Sequence, residues 1–489
     1  MIVGAGQINQ RESDPSNGRS PPALIAAAAR LALLDSGARA GPRLLRSVRQ
    51  ISVANVISWP APDPGAIVAA ELGISGAETV ASAVGGTSPL HLLAHACDRI
   101  ADGEIEVALI VGCEMVGSLG RALRDGIDLG WPSQSEQTKP DRYLGLNRDP
   151  THSVEQAAGL IAPAHYYSLF ESAVRAGSGR DRQSHQVWLG ELWARFSRVA
   201  AANQHAWIRT APGAEEIATV SASNRPIAEP YTKLLSANIQ LDQASTIIVS
   251  SQTAAAAAGV AAADMTYVRA AAAANDHWFA IERERLDRSP AVAACGREVM
   301  AHADLAIDEI DHLDLYSCFP SAVQIAAAEL GIDLAEDERP PTVTGGLTFA
   351  GGPGNNYGGH ALASMHQVLR EGGGSGLLTG VGWYMTKHAA AILSAEPPSR
   401  PFEAFAPQAQ VDPLPKLEPL DDFQGTAAIE ACTVVYGRDR RPESATVTAR
   451  IGETGRAAAC CVDPAAIERL LDGEPLGREV EIIGAEFSV

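Results

Sequence analysis

Residues 80–112 and 348–382 follow the same plan, and that repetition constrains the fold more than any other feature of the chain. Each runs through a glycine-rich turn, a helix-like stretch, a further glycine and an almost unbroken apolar strand. The first reads GG, SPLHLLAHACDRIA, Gly103 and VALIVG. The second reads GGPGNNYGG, HALASMHQVLREG, two more glycines and GLLTGVG. A strand that is apolar at every position is covered on both faces, so each copy calls for helices above and below a sheet. Two such units in one chain imply a duplicated, layered α/β architecture.

The remaining segments fit around this pair. Residues 21–37 carry proline early and glycine at the end of an alanine-rich helix pattern. Short β-rich runs follow as far as residue 115, and strand–helix alternation returns between 241 and 395. These two stretches are expected to be the core halves. The stretch 116–240 differs: it holds Trp131, Trp188, Trp193 and Trp207 among polar connectors and helical patterns. It reads as an insertion over one end of a sheet. A proline-rich linker occupies 396–420. From 421 to 489 short β-type runs and one small helix predict a β-rich C-terminal domain, with an OB-like barrel as the candidate form.

The formal charge of −20 argues against nucleic acid as a partner, since phosphate backbones are bound by basic faces. Arg180, Arg182, Arg195 and Arg198 form the one local basic concentration noted, read either as a phosphate contact or as a solvated helix face. Seven scattered cysteines without metal-type spacing suit a reducing cytoplasm and inert thiols. No signal peptide and no membrane span is expected. Gly4-Ala5-Gly6 lacks the third glycine of a dinucleotide fingerprint, and no Lys-Ser/Thr follows the loop at 351–359.

Several segments resemble the thiolase superfamily. IDEIDHLDLYSCFPSAVQIAAAELGI is similar to the strand–turn–helix that carries Asn-Glu-Ala-Phe, or His-Asp-Cys-Phe in the sterol-carrier-protein branch; here the motif stands as Tyr316-Ser317-Cys318-Phe319. GGLTFAGGPGNNYGG resembles the segment ending in Gly-His-Pro, and GGTSPLHLLAHACDRIADGEIEVALIVGCE resembles the helix that starts at the nucleophile. The likeness spans about residues 1–395. It implies a five-layer αβαβα core of two similar halves with an inserted loop domain. The tail is similar to the added C-terminal domain of some thiolase-like proteins.

Thiolase chemistry needs a thiolate, an acid/base group and oxyanion holes. The resemblance puts the nucleophile position at Gly86, the Gly-His-Pro histidine at Gly352, and the late Cys-x-Gly motif in LLTGVGWYM, where there is no cysteine. Thr87 and Ser88 stand as replacement nucleophiles or, more simply, as helix caps. Cys318 is the acid/base residue that the family likeness implies, or a buried small hydrophobe. Tyr316 takes the place of an oxyanion-hole residue, or of a plain core tyrosine. Asn355, Asn356, Tyr357 and His360 open the helix after the glycine loop, and Tyr357 and His360 are spaced to share a face toward the pocket. On a continuous helix His360 would lie ~12 Å from Gly352. His277 is a further lone candidate for the pocket, or a hydrogen-bonded structural histidine. The backbones of Gly86 and Gly382 are the candidate oxyanion donors.

The expectation is therefore an acyl-CoA protein resembling acetyl-CoA acetyltransferases but without the acyl-enzyme route. It would act as an acyltransferase or as a C–C lyase at a thioester enolate, with coenzyme A present only as part of the substrate and no metal. The alternative is a non-catalytic binder of CoA or lipid-acyl groups, or a complex subunit. Family likeness implies a homodimer; the added domain leaves a monomer open.

Overall fold

The computed structural model describes residues 1–488. Two sheets carry the core. The first runs, in spatial order, Ile2–Asn9, Gln243–Ser250, Val107–Glu114, Val48–Val53, Glu78–Ser82 and Arg142–Leu144. The second runs His312–Asp314, Ser375–Gly382, Lys387–Ser394, Tyr267–Asn275 and Glu403–Phe405. Four strands of each follow one pattern: antiparallel, antiparallel, then parallel. In the first sheet the pairs are Ile2–Asn9 with Gln243–Ser250, that strand with Val107–Glu114, and Val107–Glu114 with Val48–Val53. Tyr267–Asn275, Lys387–Ser394, Ser375–Gly382 and His312–Asp314 repeat it. The duplication seen in the sequence is thus a duplication of strand order and direction. Gln243–Ser250, which lies beyond the insertion, returns to the first sheet and pairs on both sides.

The repeated helices, Ser88–Ala101 and Tyr357–Gly372, pack on each other between the two sheets. Pro21–Asp35 and Pro64–Leu72 cover the outer face of the first sheet, and Pro290–Ala303 covers that of the second. The result is the five-layer αβαβα arrangement. Gly4 and Gly6 have a packing role. A Cβ on Gly6 would overlap the Ala28 carbonyl and lie 2.6 Å from the Ala32 nitrogen, so the strand seats directly against an alanine-lined helix.

The insertion is built on two long helices, Pro163–Ser178 and Arg182–Ala202. The proline-rich linker is ordered. Glu403–Phe405 adds an edge to the second sheet, and Glu418–Leu420 pairs with Gly455–Cys461. Beyond it, Gln424–Tyr436, Pro442–Ile451, Gly455–Cys461, Glu486–Ser488 and Glu479–Ile483 close on one another in that order. Counted along the chain the order is 1-2-3-5-4-1. Strands 3 and 5 are parallel, and the helix Pro464–Leu471 sits between strands 3 and 4. This is the connectivity of an OB-type barrel.

Arginines fix the barrel to the rest of the chain. Arg456 is fully buried; it pairs with Glu430 at 2.7 Å and donates to the carbonyls of Ala280, Ile281 and Arg283. Arg175 makes a bidentate pair with Glu474, and Arg182 donates to Leu471 and Gly473. No helix among the described residues is long and apolar enough to cross a membrane.

Candidate functional site

The two repeats bring their glycine-rich turns together at the heads of the central helices. Val84 to Thr87 enters Ser88–Ala101, and Gly354 to Asn356 enters Tyr357–Gly372. The second helix starts only at Tyr357, after a 3-10 turn, so Gly352 and His360 are not on one continuous helix. Asn355 ties the two turns: its Oδ1 accepts from Gly85 N at 2.8 Å, and its Nδ2 donates to the Asn55 carbonyl at 2.9 Å. Asn356 instead bonds Ser245.

No thiol stands at the head of the first helix. A Cβ on Gly86 would overlap the Tyr316 hydroxyl and the Val381 carbonyl, and would lie 2.6 Å from Tyr316 Cζ. The phenol fills the direction a nucleophile's side chain would take. Ser88 is no substitute, because its hydroxyl lies 2.7 Å from the Gly85 carbonyl and 2.9 Å from that of Ala83. Nor does it cap the helix: the N-cap is Thr87, which makes no side-chain cap bond. Ser88 closes the turn back on itself.

Tyr316 is 6% exposed, and its ring meets Tyr357 edge-on at 5.4 Å. Tyr357 donates to Asp314 at 2.9 Å, and Thr342 donates to the same buried carboxyl. Burial pushes Asp314 up to about 6, against the pull of those donors. Burial also drives the Tyr316 phenol above its ordinary range, so it is a neutral hydrogen-bond donor at neutral pH. Cys318 is buried beside Tyr167, and burial pushes its thiol up to about 12. A thiol so held is protonated at pH 7.

Tyr167 also holds the loop that follows the second apolar strand. It donates to the Trp383 carbonyl at 2.9 Å and accepts from Met385 N at 3.3 Å. Trp383 and Met385 both have left-handed backbones, at φ 56° and 54°, a strained turn maintained next to the site. Gly382 lies against Gly85, the turns facing each other at 3.1 Å from a would-be Cβ on Gly382 to Gly85 Cα.

Two of the singled-out residues lie apart from this group. His360 faces Gln7, with Nδ1 2.8 Å from Oε1, and burial lowers it to about 3. It therefore points away from Tyr316, although Tyr357 shares its helix. His277 contacts the carbonyls of Leu414 and Pro415 near the linker. A Cβ on Gly352 would sit tightly against the Asn238 carbonyl, at 3.2 Å.

The arginine concentration does not form one cationic patch. Arg180 lies over Trp188, Arg182 holds the barrel, and Arg195 donates to the carbonyls of Leu334, Asp337 and Arg339. Arg195 and Arg198 do line a cavity of about 860 Å³ between the insertion and residues 334–338. Sequence reasoning missed Asp314, Tyr167 and Lys387. Two had a signal: Asp314 and Lys387 are charged residues set within apolar strand runs, where a charge is rarely tolerated without a reason.

Comparison with known proteins agrees with this geometry. Residues 407–486 match the additional C-terminal domain of thiolase-like protein type 1. The chain is similar to a monomeric SCP2-thiolase-like protein type 1 from Mycobacterium smegmatis, at 29% identity and a TM-score of 0.83, covering 99% of this chain and 96% of that one. It also shares its fold with the Ltp2-ChsH2(DUF35) aldolase, at 18% identity and a TM-score of 0.60, over 80% of this chain and 97% of that one. No curated protein sequence matches the chain. With a duplicated five-layer core, paired glycine turns at the heads of its central helices and a barrel appended behind the linker, the chain is similar over its described length to a thiolase-like protein of type 1 and carries that type's additional C-terminal domain at residues 407–486.

Proposed function

We propose that the protein acts on a coenzyme A thioester without forming an acyl-enzyme, as a C–C bond lyase working through the thioester enolate. One observation carries this reading: the Tyr316 hydroxyl occupies the side-chain direction of Gly86, so a proton donor stands at the position where the thiolase likeness implies a nucleophile. In a retro-aldol cleavage of a 3-hydroxyacyl thioester, the C2–C3 bond breaks and its electron pair passes to the thioester as an enolate. One proton leaves the C3 hydroxyl as that carbon becomes a carbonyl, and one proton arrives at C2. Tyr316 balances the two transfers: its hydroxyl proton passes to C2 and the C3 hydroxyl proton takes its place on the phenol oxygen, so the residue is neutral before and after. The N-terminal end of Ser88–Ala101, with the backbone at Gly86, is the donor for the enolate oxygen. Behind Tyr316, Tyr357 and Asp314 fix the ring.

A second reading, a non-catalytic binder of CoA thioesters or a complex subunit, is favoured by the same close packing and by the protonated Cys318 thiol. Incubation with a 3-hydroxyacyl-CoA, and separately with acetoacetyl-CoA plus CoA, distinguishes the two. The lyase reading expects cleavage of the first and no thiolysis of the second. Binding without turnover of either supports the binder, and thiolysis overturns both.

A further inference from the structure

Lys387 is a buried cation with no carboxylate partner among the described residues. It opens the strand Lys387–Ser394 and is 5% exposed. Its Nζ donates to the Val84 carbonyl and to the Leu146 carbonyl, each at 2.8 Å. The stem runs between the two glycine turns. A Cβ on Gly85 would meet its Cδ at 3.4 Å, and one on Gly382 would meet its Cβ at 3.2 Å. Glycine at both positions leaves the channel in which the stem lies. Nζ sits 5.7 Å from the Trp278 ring, and burial, with this charge second to it, disfavours protonation of His91, whose Nε2 is buried without a partner among the described residues.

Burying an ammonium without a counter-ion is costly, and two carbonyl oxygens offset only part of that cost. A chain with a net charge of −20 has carboxylates to spare, yet none is placed here. The segment 144–149 lies over the ammonium. Leu144 O accepts from Ala83 N at 2.8 Å, Asn147 Oδ1 accepts from Val84 N at 3.3 Å, and Asp149 O accepts from the Trp278 indole at 2.8 Å. Leu146 is 65% exposed, an apolar side chain held on the outside of this strap.

We propose that Lys387 is an anion-binding residue of this centre: an anionic oxygen of the ligand takes the place of the Leu146 carbonyl on its ammonium and loosens the strap at 144–149. The inference rests on the CoA-thioester reading above. The oxygen belongs either to the thioester, as its enolate, or to a phosphate of the CoA carrier. Three probes separate these sources: acetoacetyl-CoA, CoA alone, and the acetoacetyl thioester of N-acetylcysteamine, which has no phosphate.

Calorimetric titration of the full-length protein and of Lys387→Met is expected to show weaker binding in the variant by roughly tenfold or more, the loss of one charge-assisted bond. Loss with CoA but not with the N-acetylcysteamine thioester assigns the phosphate; the converse assigns the enolate. Hydrogen exchange in the unsubstituted protein supplies a readout that does not depend on the variant's folding: amides of 144–149 are expected to exchange faster on ligand addition. Equal affinities in the two proteins, or a strap that the ligand leaves unchanged, overturns the assignment of Lys387 while sparing the thioester reading. Failure of the unsubstituted protein to bind any probe removes that reading, and this inference with it.

Discussion

The hydroxyl of Tyr316 lies where any side chain on Gly86 would project, so the two residues are one fitted pair drawn from opposite halves of the duplicated core. Restoring a thiol at that position is therefore not a neutral repair. Gly86→Cys is expected to lower stability by about 1–3 kcal/mol through overpacking, and to confer no thiolase activity. The double variant Gly86→Cys/Tyr316→Asn should be less destabilised than the two single effects added together, since the phenol is half of the clash. Urea denaturation of the four proteins checks this.

Tyr316→Phe keeps the ring against Tyr357 and removes only the hydroxyl. Stability should change by less than about 1 kcal/mol, because no neighbour depends on that oxygen for packing. Lyase turnover should fall by roughly 10²–10⁴-fold, the usual contribution of a positioned proton donor. Steady-state assay with a 3-hydroxyacyl-CoA, alongside a melting curve, separates the two effects.

Asp314 gives the centre a pH signature. Burial raises its pKa from an unfolded value of 3.8 to about 6, so the folded state binds more protons than the unfolded state between those values. Stability contributed by this group is present below about pH 4 and declines as pH rises to about 6, by about 3 kcal/mol in all. The groups around it, Thr342, Thr344 and Tyr357, stay neutral over that range. Asp314→Asn should lack this slope, and the stability difference from the parent protein should be larger at pH 4 than at pH 7. Denaturation at a series of pH values reads it directly.

The thiols should respond unequally to an alkylating reagent. Cys460 is the only cysteine that is not buried, and Cys318 is held protonated by burial. At neutral pH Cys460 should label first, and Cys318 only under denaturing conditions. Peptide mapping after timed alkylation tests this. Early labelling of Cys318 would restore it as an acid/base candidate.

Removing the buried arginine of the barrel should be severe. Arg456→Ala leaves Glu430 and the backbone carbonyls of Ala280, Ile281, Arg283 and Glu284 without their donor, an expected loss of about 3–5 kcal/mol. Arg175→Ala, at a pair whose glutamate is half exposed, should cost much less. Thermal unfolding of both variants compares them.

The layered core was legible because its cause is local. An apolar strand preceded by a glycine turn and a helix dictates burial on both faces, and the repeat of that unit carries through to strand order and direction. The barrel was legible from alternating short runs. The linker was not: Glu403–Phe405 and Glu418–Leu420 are strands only because other strands offer them an edge, which proline-rich composition conceals. At the site the two glycine turns were legible, but not what packs against them. That Tyr316 meets Gly86, that Lys387 threads between Gly85 and Gly382, and that His360 turns to Gln7 are all contacts between distant segments. Spacing along a helix cannot reveal them. Ser88 shows the limit at short range, since its hydroxyl serves the turn before the helix instead of the helix itself.

The most direct measurement is intact-protein mass spectrometry after rapid quench with acetoacetyl-CoA and with a 3-hydroxyacyl-CoA. The account predicts unmodified protein in both, with cleavage products formed only from the hydroxy substrate. An acyl group found covalently bound to the polypeptide, released by CoA in a second step, would contradict it.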